Sequence, residues 1–400
     1  MTHLPLDFIS MLHDLLGEEA EQLIESLNEP PITSVRLNRR KPGAEFEGAE
    51  KVPWCPSGLY LKERPEFIFD PLLHAGAYYV QDASSMIYET VVEILLKKFK
   101  ESIDSDDSTE EDSHSSSLSH SGIGCLKVLD LCAAPGGKTT AMINALPDGS
   151  EIIANEYTPK RVASLRENIA KWGYCPVNVT NKDSAFYALQ GEVYDIVAVD
   201  APCSGEGMMR KEEMARRQWS HQLVEQCSIL QKEILDNAIK CLKPGGFLIY
   251  STCTFNRQEN EENVEFLAVN KGLIPVNPDF PDGWGISEGI GTTLPVYRFM
   301  PHKTKGEGLF LAVLQKPGVW VPSYRKSLPP NKKEIDSWPE VEVDKTTALS
   351  YLRGESIILP SGSPKGLVTI TFKGLPLGEA KNIGSRANNH YPKAWRILKR

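Results

Sequence analysis

The 400-residue chain has no apolar run approaching the roughly 18 residues needed to cross a bilayer. Its first twenty residues lack the basic–apolar–small pattern of a secretory signal. Residues Leu4 to Leu27 read instead as one amphipathic helix rich in Glu and Leu. A cytoplasmic protein without a membrane partner is expected. Cysteine is sparse, eight in all, with no C-x-x-C pair and no histidine at zinc-ligand spacing. That pattern argues against a metal site and against a disulfide scaffold. Most of the eight are expected to be small buried hydrophobes. Net positive charge is also missing. The chain carries −9, which seems at odds with a nucleic-acid partner. Seven of those acids, Glu101, Asp104, Asp106, Asp107, Glu110, Glu111 and Asp112, crowd one short stretch; without them the −9 falls to −2. Basic residues cluster near the ends: Arg36, Arg39, Arg40 and Lys41, then Lys381, Arg386, Lys393, Arg396, Lys399 and Arg400. Local patches, not totals, attract phosphates.

Two breaks divide the chain. Residues 101–124 are acidic, Ser-rich and nearly free of large apolar side chains, so they cannot bury enough surface to offset ordering entropy. Residues 317–344 are rich in Pro, Lys and Ser and read as a linker. The expected units are therefore an N-terminal α+β region at 1–100, a central domain at 125–316 and a small β-rich domain at 345–400.

Within 125–316, strand alternates with helix. Strands are predicted at Lys127–Leu131, Glu151–Asn155, Pro176–Thr180, Tyr194–Asp200 and Phe247–Ser251. Helices are predicted from Lys138 to Leu146, after Thr158-Pro159, over His221–Leu242 and from Gln258 to Asn270. Pro244-Gly245-Gly246 is expected to stop the third of these. Such alternation implies an α/β fold, a mostly parallel Rossmann-like sheet covered by helices. In the last domain, Ser356–Leu359 and Leu367–Phe372 look like strands.

Three motifs fall at predicted strand ends, where open α/β sheets bind ligands. Cys132, Ala133, Ala134, Pro135, Gly136, Gly137 and Lys138 link a strand to a helix N-terminus. Their small residues allow close backbone approach to a ligand. Glu156 ends the next strand, where an acid can bind ribose hydroxyls, and Asp183 follows the third. These positions outline a nucleoside site without separating S-adenosylmethionine from a nicotinamide cofactor. Asp200-Ala201-Pro202-Cys203-Ser204-Gly205 ends the fourth strand and Ser251-Thr252-Cys253-Thr254 the fifth. Two thiols and a carboxylate are thereby expected to converge. Packing residues would suffice to explain either cysteine alone. Together, they suit one chemistry. Carbon 5 of cytosine is a poor nucleophile until a thiolate adds at carbon 6, and an acid such as Asp200 must support N3.

CAAPGGKT, DAPCSGEG and STCT, in that order, resemble the Sun-family RNA cytosine-C5 methyltransferases. HAGAYYVQDASSM at 74–86, Val35-Arg36-Leu37-Asn38, Arg298–Pro301 and Gly306–Phe310 are similar to further family segments, so the likeness covers roughly residues 30–315. It implies a class I methyltransferase fold that binds S-adenosylmethionine through Cys132–Lys138, Glu156, Asp183 and Asp200. It also implies Cys253 as nucleophile and Cys203 as the thiol of product release. Spacing could not rank the two cysteines. Val35–Asn38 is expected, by the same likeness, to contact RNA. LPLGEAK and KNIGSRANNHYPKAWRI resemble the tail of the RsmF-like ribosomal branch, which carries a PUA-like RNA-binding unit. The implied partner is small-subunit ribosomal RNA, with tRNA as the alternative substrate, and the protein is expected to act as a monomer. A non-catalytic RNA-binding assembly factor would keep the fold and dispense with both thiols. A DNA cytosine methyltransferase would attack through the Cys203 motif and lack the other.

Overall fold

A computed structural model describes residues 3–106, 123–174, 176–322 and 338–398. Most of the predicted acidic segment (107–122) and of the linker (323–337) lies outside the described residues.

The N-terminal region forms a small sheet of β1 (Ser34–Leu37), β2 (Glu50–Lys51), β3 (Gly58–Tyr60) and β4 (Tyr78–Val80), ordered β2-β3-β1-β4. The single helix predicted over Leu4–Leu27 is two, Leu6–Leu16 and Ala20–Asn28. Gly17 at φ 57 turns the chain between them. The break lets Phe8 and Leu12 of one helix and Leu23 and Leu27 of the other bury against Trp219 and Phe255 of the catalytic domain.

The helix Ile87–Asp106 follows and runs several residues into the stretch predicted to lack structure. Its apolar face, Val91, Val92, Leu95 and Phe99, packs with Val128, Ile143 and Phe247. Tertiary burial thus sustains a helix whose last turn the polar composition alone would not.

The catalytic sheet contains β5 (Lys127–Asp130), β6 (Glu151–Asn155), β7 (Val177–Thr180), β8 (Tyr194–Asp200), β9 (Leu242–Thr252), β10 (Ile274–Pro275), β11 (Ser287–Glu288), β12 (Val296–Phe299) and β13 (Leu309–Gln315). Its order is β11-β12-β13-β9-β8-β5-β6-β7, with β10 paired to β13. Strands β5 to β9 pair in parallel, whereas β13 joins β9 antiparallel. Strand order reverses between β5 and β8, and the crevice at such a switch point is where ligands bind. Helices Gly137–Ala145 and Pro159–Trp172 cover one face with Ile87–Asp106. Helices His221–Cys241 and Glu261–Lys271 cover the other. Burial on both faces explains why β8 is almost wholly apolar.

Two predicted boundaries shift. Strand β9 begins at Leu242, ahead of the Pro-Gly-Gly turn, because Leu242 already pairs with Tyr194. The last helix of the domain begins at Glu261 instead of Gln258, since Asn256, Glu259 and Asn260 hydrogen-bond inward.

The C-terminal unit forms a third sheet from β14 (Glu340–Glu342), β15 (Gly366–Phe372), β16 (Leu375–Asn382) and β17 (Ala387–Asn389), in that order. The strand expected at Ser356–Leu359 is reduced to one bridge, Ile357 to Ala387. The core of this unit includes Ala75 from the N-terminal region. No helix among the described residues is long and apolar enough to cross a membrane.

Candidate active site

The carboxyl ends of β5, β6, β8 and β9 build the site. At the end of β5 the chain passes through a cis Ala134–Pro135 bond to Gly136, whose φ of 107 suits only glycine, and enters the helix Gly137–Ala145. Thr139 Oγ donates to Asp130 at 2.6 Å and ties that helix back to its strand. Burial pushes the Asp130 carboxyl up to about 7.

The N-terminal region braces this loop from behind. Arg36 is fully buried. It donates to Gln81 Oε1 (2.8 Å), the Thr140 carbonyl (3.1 Å), Thr140 Oγ (2.6 Å) and the Gly137 carbonyl (3.2 Å), and lies over the Trp172 ring. Arg39 pairs with Glu89 and Glu93, Arg40 with Asp148, and Lys41 donates to the carbonyls of Ala75 and Lys171. The segment Val35–Asn38, expected to contact RNA, is therefore an internal strut. A guanidinium with no exposed surface, bonded to helix carbonyls, cannot reach a phosphate. The basic cluster at this end is spent largely on internal partners.

Glu156, at the end of β6, is buried. Its Oε1 accepts from the Thr158 amide at 2.8 Å. Its Oε2 lies 3.2 Å from Arg161 Nη1 yet receives no hydrogen bond. A buried acceptor without a donor fits a ribose hydroxyl. Asp183 is exposed beyond β7 and caps the helix Ser184–Ala188 by accepting from Ala185. Cys132 is half-buried beside this group, and burial and the nearby acids drive its thiol far above its usual range.

At the end of β8, Asp200 takes an ion pair from Lys138 Nζ at 2.8 Å and a hydrogen bond from Ser251 Oγ at 2.7 Å. Ser251 is in turn 2.8 Å from the Tyr88 hydroxyl. Burial opposes the charge on Lys138, but Asp200 more than offsets it and the ammonium is held above its ordinary range.

Cys203 and Cys253, from the loops after β8 and β9, meet with their sulfurs 3.3 Å apart. Both are part-exposed, unlike buried Cys55 and Cys241. The Cys253 sulfur and burial raise the Cys203 thiol well above the usual range. The structure thus gathers the residues singled out in the sequence along one sheet edge. Beneath the thiols lie two carboxylates that motif reading left unassigned. Glu206 stands inside the DAPCSGEG motif without a role, and Glu259 carries no sequence signal. Arg298, noted only for likeness, is buried, forms a bidentate pair with Glu261 and donates to the Phe255 carbonyl two residues after Cys253. Among the described residues, no cluster of three His, Cys, Asp or Glu could hold a metal.

Residues 125–315 match the family described as 16S rRNA methyltransferase RsmB/F. Residues 4–83 match the N-terminal domain of 16S rRNA methyltransferase RsmF, and residues 339–397 the methyltransferase RsmF PUA domain. Ribosomal RNA small subunit methyltransferase F of Pectobacterium atrosepticum is 31% identical over 79% of this chain, which spans 63% of that protein's length. The protein of the same name from Cronobacter sakazakii is 27% identical, with 98% of this chain and 96% of that protein covered. A crystal structure of NSun6 from Pyrococcus horikoshii with SFG shares the fold, at TM-score 0.62 and 23% identity over 79% of this chain and 99% of that one. With all three of its units matched in order and the two-thiol edge in place, this chain belongs to the RsmB/F family of 16S rRNA methyltransferases.

Proposed function

We propose that the protein transfers a methyl group from S-adenosylmethionine to carbon 5 of a cytosine in small-subunit ribosomal RNA, through a covalent bond between Cys253 and carbon 6. The observation that carries this reading is the thiol pair beside the Lys138–Asp200 ion pair, at the mouth of a nucleoside-binding edge.

The residues fit the cofactor. Gly136 and Gly137 let backbone come close, Glu156 Oε2, ion-paired with Arg161 but accepting no hydrogen bond, suits a ribose hydroxyl, and Asp183 stands on the same edge. When bound, S-adenosylmethionine supplies an electrophilic methyl group.

Each protein group has a step. The family likeness of its motif assigns the attack at carbon 6 to Cys253, which must react as a thiolate. Electrons then move toward N3 of the ring, and carbon 5 becomes nucleophilic. In this reading Asp200 supports N3, and Lys138, held protonated by that carboxylate, supplies the positive charge and the proton the ring needs. Ser251, backed by Tyr88, fixes the Asp200 carboxylate. After transfer, water takes the carbon-5 proton, N3 returns its proton to Lys138, and the electron pair so released restores the ring double bonds and expels Cys253 as a thiolate. Cys203, 3.3 Å away, returns a proton to the departing thiolate. A base within a helix must leave its stack to reach these groups.

Bisulfite sequencing of RNA from a strain lacking the gene tests the reading. One small-subunit cytosine should lose its protection and regain it when the intact gene is restored. Loss confined to a tRNA cytosine would move the substrate, and unchanged protection throughout would overturn the activity.

A further inference from the structure

Resting on that assignment of the thiols, we infer that Glu206 is a positioning residue that holds the Cys203 and Cys253 loops in reacting register.

Glu206 touches neither sulfur. It is fully buried just past the Cys203 loop. One oxygen, Oε1, accepts from Ser204 Oγ (3.3 Å), Trp219 Nε1 (2.9 Å) and Asn256 Nδ2 (2.9 Å). The other, Oε2, accepts from the backbone amides of Phe255 and Asn256 (3.0 Å for Asn256). One carboxylate thereby grips the Cys203 side through Ser204 and the Cys253 side through the two amides that follow Thr254. The neighbouring Gly207 amide donates to the Cys253 carbonyl at 2.8 Å. A Cβ at Gly207 would stand 2.6 Å from the Glu307 carbonyl and 2.9 Å from that of Cys253, so the two loops meet there without slack.

Every partner of Glu206 donates, and four of the five are N–H groups. A pocket of donors calls for an ionised carboxylate, with acceptor capacity on both oxygens. A glutamine has the same shape but must turn its NH2 toward one set of those donors. Either the Cys253 loop or the Ser204–Trp219 side then loses its acceptor and faces a donor. The two loops are otherwise joined by the Ser204–Thr254 hydroxyl contact and by Glu259, which accepts from the Ser204 amide and from Asn256. The fold therefore has support when Glu206 is changed, while the spacing of the sulfurs relaxes.

The test uses the full chain with Glu206→Gln, and Glu206→Asp in case the first does not fold. Two quantities are read: steady-state methyl transfer to small-subunit RNA from the deletion strain, and the rate at which diamide closes a Cys203–Cys253 disulfide, followed by peptide mass. The expected result is kcat lowered on the order of 100-fold, as for a misplacement of about 1 Å, with KM for RNA unchanged and disulfide closure slowed. An unchanged kcat, a change confined to KM, or a closure rate equal to wild type overturns the role. Failure of both variants to fold makes Glu206 a stability residue and overturns it as well. Cys253→Ala is assayed alongside. If that variant stays active, the site assignment itself fails. If it is dead while Glu206→Gln works normally, only the positioning role falls.

Discussion

Cys203 Sγ and Cys253 Sγ lie 3.3 Å apart although fifty residues separate them in the chain. Parallel pairing of β8 with β9 brings them together, through the register Asp200 to Ser251. That register also sets Ser251 against Asp200, and the parallel pairing of β5 with β8 brings Lys138, at the start of the helix after β5, to the same carboxylate.

Division of labour between the thiols predicts opposite phenotypes. Cys253→Ala should lower methyl transfer by about 10^4-fold or more, as expected when a nucleophile is removed. Its affinity for S-adenosylmethionine, measured by calorimetry, should be unchanged. Cys203→Ala should instead accumulate a protein–RNA adduct stable to denaturing electrophoresis. RNA that runs free in that lane would remove Cys203 from the release step.

The same spacing makes the pair oxidisable. Diamide should accept two electrons and two protons from the thiols, becoming its hydrazine while a Cys203–Cys253 disulfide forms. Methyl transfer should stop and return on adding dithiothreitol. Activity that survives once peptide mass shows the disulfide complete would mean that neither sulfur is needed free.

Asp130 predicts a pH dependence of stability. Its folded pKa is raised to about 7, against about 4 for an unfolded aspartate. Between those values the folded state holds a proton that the unfolded chain has released, so stability falls as pH rises from about 4 to about 7 and levels off above. Asp130→Asn removes this contribution and can still accept from Thr139. Urea unfolding at pH 5 and pH 8 should show the wild type losing stability relative to the variant. An equal gap at both values would contradict the raised pKa.

Arg36 predicts a structural phenotype in place of an RNA-binding one. Replacing it with leucine strips four hydrogen bonds from a buried guanidinium and should destabilise the protein by about 3 kcal/mol. Cofactor affinity should fall too, because Arg36 holds the first turn of Gly137–Ala145. A variant that unfolds like wild type but binds RNA weakly would restore the surface role.

How much was legible followed from how local each signal is. Strands β6 and β8 fall where their apolar runs placed them, because burial on both faces leaves a continuous stretch. The loop Cys132–Lys138 was visible because a glycine turn between strand and helix needs nothing distant. Arg36 is illegible in the sequence for the opposite reason. A basic residue reads as surface until the helix 101 residues later supplies its carbonyls. The helix Ile87–Asp106 outran its polar composition because its anchor is the core of another unit.

By itself the sequence determined the α/β alternation, the candidate nucleoside edge and the two candidate thiols, since periodicity, turns and motifs are properties of neighbours in the chain. Tertiary structure alone decided that Lys138 faces Asp200, that Glu206 and Glu259 underlie the thiols, and that Arg36 is a strut. Those are contacts between groups tens to hundreds of residues apart, and a buried charge declares itself only through the partners that compensate it.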